Sequence, residues 1–196
     1  MLSSDLESIL QLARIYLGRP QLQLHLDPSW GSAIEGFRGS IKNDIIAKFF
    51  SLSQVSISHC SNLGGYAADS EIQAHPKDQS YNYLSPVQSA IGFDLELTSR
   101  VSTRIAERVS ADTQELEEAP SASSLWTAKE ACFKALRGPH QPAILQQLKI
   151  GNWNNISSQI ETVEILECQG QLFTSSGLGI VFRQELYTFS IFSIRY

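Results

Sequence analysis

Two pairs of residues stand at spacings that could do chemistry. Asp94 and Glu96 are two apart in AIGFDLEL, and Glu130 and Lys134 are four apart in LWTAKEACFKAL. In a strand, residues i and i+2 point the same way. Ile91, Phe93, Leu95 and Leu97 would then face a core, leaving Gly92, Asp94 and Glu96 on the opposite face. Two carboxylates held ~6 Å apart at an effective dielectric of ~20 repel by about 3 kcal/mol, and less where water screens them. A divalent cation turns that repulsion into attraction, and hard cations such as Mg²⁺ prefer carboxylate and phosphate oxygens. Gly92 adds a place where a ligand could approach the backbone. By itself, Asp-x-Glu equally describes the wet face of an antiparallel strand.

The second pair lies on a helix pattern. Leu125, Ala128, Cys132 and Leu136 form an apolar stripe. Trp126, Glu130 and Lys134 recur at i, i+4 and i+8 and share another face. A Glu–Lys pair at this spacing also serves simply to support a helix, by ~0.3–0.5 kcal/mol. His59 closes the alternating segment VSISH, with Ser58 and Cys60 on either side. Neighbouring strand residues point to opposite faces, which argues against a Cys60–His59 dyad and for a small packed thiol.

These residues need elements to position them. Apolar residues at helical spacing predict a helix over residues 4–17, stopped by Gly18-Arg19-Pro20. QLQLHLD alternates as a half-buried strand, and Asp27-Pro28-Ser29 turns the chain. A short helix is expected over 43–50. In VSISH, Val55 and Ile57 share one face and Ser56 and Ser58 the other. Gly64-Gly65 predicts a hairpin turn, with 66–69 returning. Residues 70–85 are polar, and the boundary between an N-terminal half (1–86) and a C-terminal half (87–196) is placed there. The second half opens with a strand over 87–97, then a helix over 99–109, an acidic loop over 115–124, and the LWTAKEACFKAL helix stopped by Gly138-Pro139. Four β-rich segments follow, around 148–150, 162–168, 178–183 and 187–194. Strands and helices interleave, so the fold class is α+β with largely antiparallel sheet.

Composition sets the outer bounds. The chain has 196 residues, 42% hydrophobic and 18% charged, with a formal net charge of −5. That is ordinary for a globular protein and unsuited to sequence-independent nucleic-acid binding, which needs clustered Lys and Arg. Cys60, Cys132 and Cys168 are odd in number and lack a CxxC, so neither a disulfide framework nor a zinc site is indicated. Asp5 and Glu7 stand where a signal peptide would carry basic residues, and no apolar run reaches the ~20 residues of a membrane span. A cytoplasmic location is expected, without nucleic-acid or membrane partners. There is no P-loop and no GxGxxG.

Taken together, the motifs resemble a family. IGFDLE is similar to the (V/I)G(I/V/F)D-x-E motif of the 4′-phosphopantetheinyl transferase superfamily, and LWTAKEACFK to its W-x-x-K-E-x-x-x-K motif. SISHC is similar to the SHS-type strand end of the longer class, which activates peptide-synthetase carriers. The resemblance covers residues 50–140 by motif. It implies a pseudo-dimer of two similar α/β halves with coenzyme A between them, acting as a monomer. It implies that Asp94, Glu96 and Glu130 hold Mg²⁺ and that Lys134 contacts the pyrophosphate. Ser58 and His59 would bind the nucleotide's phosphates, and Glu130 could accept a proton. The substrates would be coenzyme A and a serine of an apo acyl or peptidyl carrier protein, as in a holo-acyl-carrier-protein synthase. The N-terminal half is short and lacks the GKP-like segment of the longer class. Arg38, Lys42 or Lys48 could replace its lysine, and Arg14 and Arg19 are candidates for the 3′-phosphate. Glu115 or Gln114 could supply a further acidic or polar position, and Arg100 and Arg104 either a phosphate contact or a wet helix face. The competing reading is a transferase-like module that engages a carrier without catalysis.

Overall fold

Gly18 adopts a φ of 60°, in the left-handed region that favours glycine, and ends the first helix, α1 (Leu2–Leu17). The computed structural model describes residues 2–31, 45, 55–70, 89–136 and 140–195. Beyond α1 the chain enters β1 (Leu22–Asp27), where Leu22 and Leu24 turn inward and Gln23 and His25 outward. Pro28–Trp30 forms a 3-10 turn, fastened by Ser29 N–H donating to the Asp27 carboxylate. β1 pairs with β3 (Gly64–Asp69), and β3 with β2 (Val55–His59), so the small sheet runs β1-β3-β2.

The larger sheet is built from β4 (Ser89–Leu97), β5 (Leu148–Ser157), β6 (Ile160–Cys168), β7 (Gln171–Leu172), β8 (Ser176–Arg183) and β9 (Tyr187–Arg195). Its order is β4-β9-β8-β6-β5, with β7 beside β6. Every pairing among the described strands is antiparallel. The α+β class with antiparallel sheets expected from the interleaved patterns is therefore what the molecule has. Among the described residues, three α-helices lie between β4 and β5: α2 (Thr103–Val109), α3 (Thr113–Glu118) and α4 (Ala122–Ala135).

The large sheet is covered on both faces. Ile91, Phe93, Leu95, Ile180, Phe182, Phe189 and Ile191 pack with α1 and the small sheet in one continuous core. Val163, Ile165, Val181, Phe192 and Ile194 pack on the other face against Leu125, Ala128, Cys132 and Leu136, the stripe read from the sequence. Burying side chains such as Phe93 stabilises by about 1.5–3 kcal/mol each.

Several expectations needed correction. Gly64 and Gly65 lie within β3, not in a turn; the reversal is Cys60–Leu63, closed by Cys60 N–H donating to Leu63 O at 2.8 Å. A Cβ at either glycine would overlap the carbonyl of Trp30 or His25, so close backbone approach explains both. The helix expected over 99–109 begins only at Thr103, after a 3-10 turn at Thr98–Arg100 and with extended Ser102 at its N-cap. The acidic stretch contains α3, capped by the Asp112 carboxylate accepting Glu115 N–H at 2.8 Å. The helix expected over 43–50, apart from Ile45, lies outside the described residues, as do most of 70–88 and the Gly138-Pro139 stop.

Candidate active site

The small and large sheets meet edge to edge where β2 faces β4, and serine hydroxyls stand in for a backbone ladder. Phe93 N–H donates to Ser56 Oγ at 2.9 Å, and Leu95 N–H to Ser58 Oγ at 3.3 Å. Residues 56 and 58 thus sit opposite 93 and 95, and the two strands advance in the same sense. The alternation that puts Val55 and Ile57 in an apolar cluster with Tyr66 presents both hydroxyls to β4. The two hydroxyls differ in where their own hydrogens go. Ser56 reaches back to Phe93 O at 3.5 Å, the limit of a hydrogen bond, whereas Ser58 donates to Asp94 Oδ1 at 2.8 Å.

Asp94 is the centre of the site and only 4% exposed. Its Oδ1 also accepts from Lys134 Nζ at 2.7 Å. Lys134 reaches Phe93 O at 3.2 Å and Ser58 Oγ at 3.3 Å. The other carboxylate oxygen, Oδ2, is buried and accepts no hydrogen bond. Such a group costs free energy to bury unless something answers it.

The helix reaches this strand because Gly92 permits it. A Cβ at position 92 would overlap the carbonyl oxygen of Ala131 and crowd Ala135 N. Gly92 therefore admits the backbone of α4, not a ligand as its place beside Asp94 suggested. This contact brings Glu130 and Lys134 from α4 to Asp94 and Glu96 on β4. On the neighbouring strand β9, Ser190 lies opposite Asp94 and Thr188 opposite Glu96. Both are tied to α4, Ser190 by Thr127 at 2.7 Å and Thr188 by Ser123 at 3.0 Å.

The electrostatics follow from crowding. Burial, then the nearby Asp94 charge, pushes the carboxyl of Glu130 above its ordinary range. The same two causes raise Glu96, opposed by Arg100, by the Trp126 indole and by Lys134. Arg100 Nη1 lies 3.9 Å from Glu96 Oε2. Beside Glu96 opens a cleft of about 430 Å³, lined by Arg100, Val101, Ile105, Arg108, Val109 and Trp126. Arg104 is exposed elsewhere on α2.

Carboxylate oxygens suit a hard divalent cation in kind, and the unanswered Oδ2 of Asp94 is an oxygen in need of one. Among the described residues, however, no three His, Cys, Asp or Glu side chains stand close enough to enclose an ion. The carboxylates form a donor set around Asp94, not a closed cage.

Other candidates fall outside the site. Glu115 is fully buried and paired with Lys129, so it is part of the core and supplies no further acidic ligand. Gln114 bonds Glu118 on the surface of α3. Arg19 is committed internally: it donates to Ser193 Oγ at 2.8 Å and Ser89 Oγ at 3.3 Å and lies 3.4 Å from Asp69. Arg14 donates to Leu22 O at 2.9 Å. Arg19 is buried, and the partly exposed Arg14 also meets Glu7 at 3.4 Å. Cys60 is buried, and burial raises its thiol, as fits a packed residue. Arg38, Lys42 and Lys48 lie outside the described residues. Ser56 was not singled out by its type, although the Ser-x-Ser alternation was visible. No helix among the described residues is long and apolar enough to cross a membrane.

A comparison with curated proteins returns no match. Comparison with family models returns the 4′-phosphopantetheinyl transferase superfamily over residues 90–183. This span runs from β4 through α4 to β8 and contains Asp94, Glu96, Glu130 and Lys134. The segment that carries the site is therefore similar to the 4′-phosphopantetheinyl transferase superfamily.

Proposed function

We propose that this chain transfers the 4′-phosphopantetheine group of coenzyme A to a serine of an apo acyl or peptidyl carrier protein in a Mg²⁺-dependent reaction. The superfamily match supports phosphopantetheine transfer in general. The observation that carries the finer reading is Asp94, with one oxygen bound by Lys134 and Ser58 and the other unanswered at the meeting of β4 and α4.

Asp94, Glu96 and Glu130 would hold the cation. Bound there, Mg²⁺ would neutralise charge on the pyrophosphate oxygens. Phosphoryl transfer asks a protein mainly for positioning and charge. Lys134, on the other oxygen of Asp94, would supply further positive charge. Ser58 and His59, at the end of β2, would bind the nucleotide's phosphates. The carrier serine oxygen attacks the β-phosphorus, and the bond from that phosphorus to the bridging oxygen breaks. Adenosine 3′,5′-bisphosphate leaves. Glu130, its carboxyl raised by burial, would accept the serine proton, directly or through water. The chain would act as a monomer, with the 1–86 half on the coenzyme A side and the 87–196 half bearing the cation.

The test is direct. Apo carrier protein mixed with coenzyme A, Mg²⁺ and this protein gains the mass of phosphopantetheine, read by intact-protein mass spectrometry. No gain across several carriers, with the protein folded, overturns the proposal.

A second reading has a specific observation behind it. Arg14 and Arg19 are spent on the fold, which favours a module that engages a carrier without holding coenzyme A. Calorimetric titration separates the two: Mg²⁺-dependent coenzyme A binding selects the enzyme, and none selects the module.

A further inference from the structure

Ser56 and Ser58 make the same backbone contact at successive positions of β2 yet differ in one bond. Each hydroxyl accepts an N–H of β4, from Phe93 or Leu95. Ser58 alone donates to Asp94, at Oδ1. Lys134 binds the same oxygen. With Oδ1 doubly held, the carboxylate plane is fixed, and Oδ2 is left buried and without a partner.

We infer that Ser58 is a positioning residue for the cation, holding Asp94 so that Oδ2 is presented to it. The inference rests on the cation reading above. It adds that the small sheet, through a single hydroxyl, sets the affinity of a site whose carboxylates all lie on the other half. A Ser58 that acted only on nucleotide phosphates would leave cation binding unchanged when no nucleotide is present. The physical ground is that partners which orient a metal-binding group typically alter metal affinity 10–100-fold when removed. Ser56 is the matched control. It closes the same edge of β4, is similarly buried, and makes its hydrogen bonds to Phe93 and not to Asp94.

The experiment is an electron paramagnetic resonance titration of free Mn²⁺ against the whole chain, without coenzyme A. Ser58→Ala is expected to weaken Mn²⁺ binding by about tenfold or more. Ser56→Ala is expected to leave it within twofold of the native protein while lowering the melting temperature to a similar degree as Ser58→Ala. Ser58→Thr, which keeps the hydroxyl, is expected to restore affinity. Should Ser58→Ala not fold, Ser58→Cys carries the same test, since a thiol is a weak donor in nearly the same volume.

Native affinity in Ser58→Ala, or in Ser58→Cys where that variant is used, overturns the inference and leaves the cation reading standing. Equal losses in the Ser56 and Ser58 variants also overturn it, because the effect would then belong to the seam between the sheets. No Mn²⁺ binding by the native protein, or binding unchanged in Asp94→Ala, overturns the cation reading itself and the inference with it.

Discussion

Helix α4 carries two lysines five positions apart, each bonded to a carboxylate, and the two pairs serve opposite ends. Lys129 and Glu115 are wholly buried. Lys129 Nζ donates to Glu115 Oε1 and Oε2, at 2.9 and 2.7 Å, and to Leu148 O. Glu115 also accepts from Ala111 N–H at 2.5 Å and Ile150 N–H at 2.8 Å. Every polar atom of that pair is answered. Lys134 and Asp94 make an equally short contact, but Lys134 is 29% exposed at its side chain and one oxygen of Asp94 has no partner. A saturated buried pair joins the core, while in the second pair the lysine is part exposed and one buried carboxylate oxygen is left unanswered. Length and charge of the ion pair do not separate the two cases; the count of unanswered atoms does.

Substitution can break this comparison at either end. Asp94→Ala should reduce transfer to carrier protein by ~10³-fold or more, equivalent to about 4 kcal/mol in the barrier. Lys134 can turn to water, so the urea midpoint should shift little. Lys129→Met should do the reverse. It leaves Glu115 charged and unpaired in the core, and ~3–5 kcal/mol of stability should be lost in urea unfolding. Transfer measured well below the midpoint should survive. If Asp94→Ala unfolds the protein, or Lys129→Met does not destabilise it, the distinction between the pairs fails.

Gly92→Ala probes the approach that brings the second pair to the site. The new methyl meets the Ala131 carbonyl, and about 1–3 kcal/mol should be lost as α4 is pushed from β4. Activity should fall even where the variant remains folded.

The pH dependence sharpens the same contrast. Glu96 and Glu130 have carboxyls raised above the ordinary 4.5 by burial and by Asp94. Between that value and the raised ones, the native state holds more protons than the unfolded state. Their contribution to stability is therefore full below about pH 4.5 and is lost as pH rises through the raised values. In metal-free buffer, the stability–pH curve should slope downward across that window. The double variant Glu96→Gln, Glu130→Gln should remove that part of the slope, and Mg²⁺ should offset it in the native protein. The smallest effect concerns α3, which holds Glu115: Asp112→Ala removes its N-cap and should cost about 1 kcal/mol.

Much of this was legible in the chain. Alternation gave β1 with its inward face, because a strand buried on one side must alternate, and it located β2 and β4, although both of these are buried on both faces. Helical spacing gave α1 and the apolar stripe of α4. Type and spacing marked out Asp94, Glu96, Glu130 and Lys134, and the fold brings these four side chains near one another. Other features were misread for physical reasons. The run at 115–124 reads as a polar loop, although Asp112 and Glu115 have the spacing of a helix start. Its stability comes from one carboxylate buried against Lys129, a partner fourteen residues away. Arg19 looked like a phosphate ligand because an arginine beside a loop usually meets solvent, yet here it links β3, β4 and β9.

The sequence by itself determined which residues can bear charge, which faces are apolar, and that the acidic strand and the Glu–Lys helix share a chain with a Ser-x-Ser strand. Only the tertiary structure decided which lysine meets which carboxylate, that Gly92 receives a helix, and that β2 meets β4 through hydroxyls. The reason is that periodicity records how each element divides between core and water. It does not record the partner that fills a hydrogen bond across the fold, such as the one from Ser58 to Asp94, or the oxygen left without one.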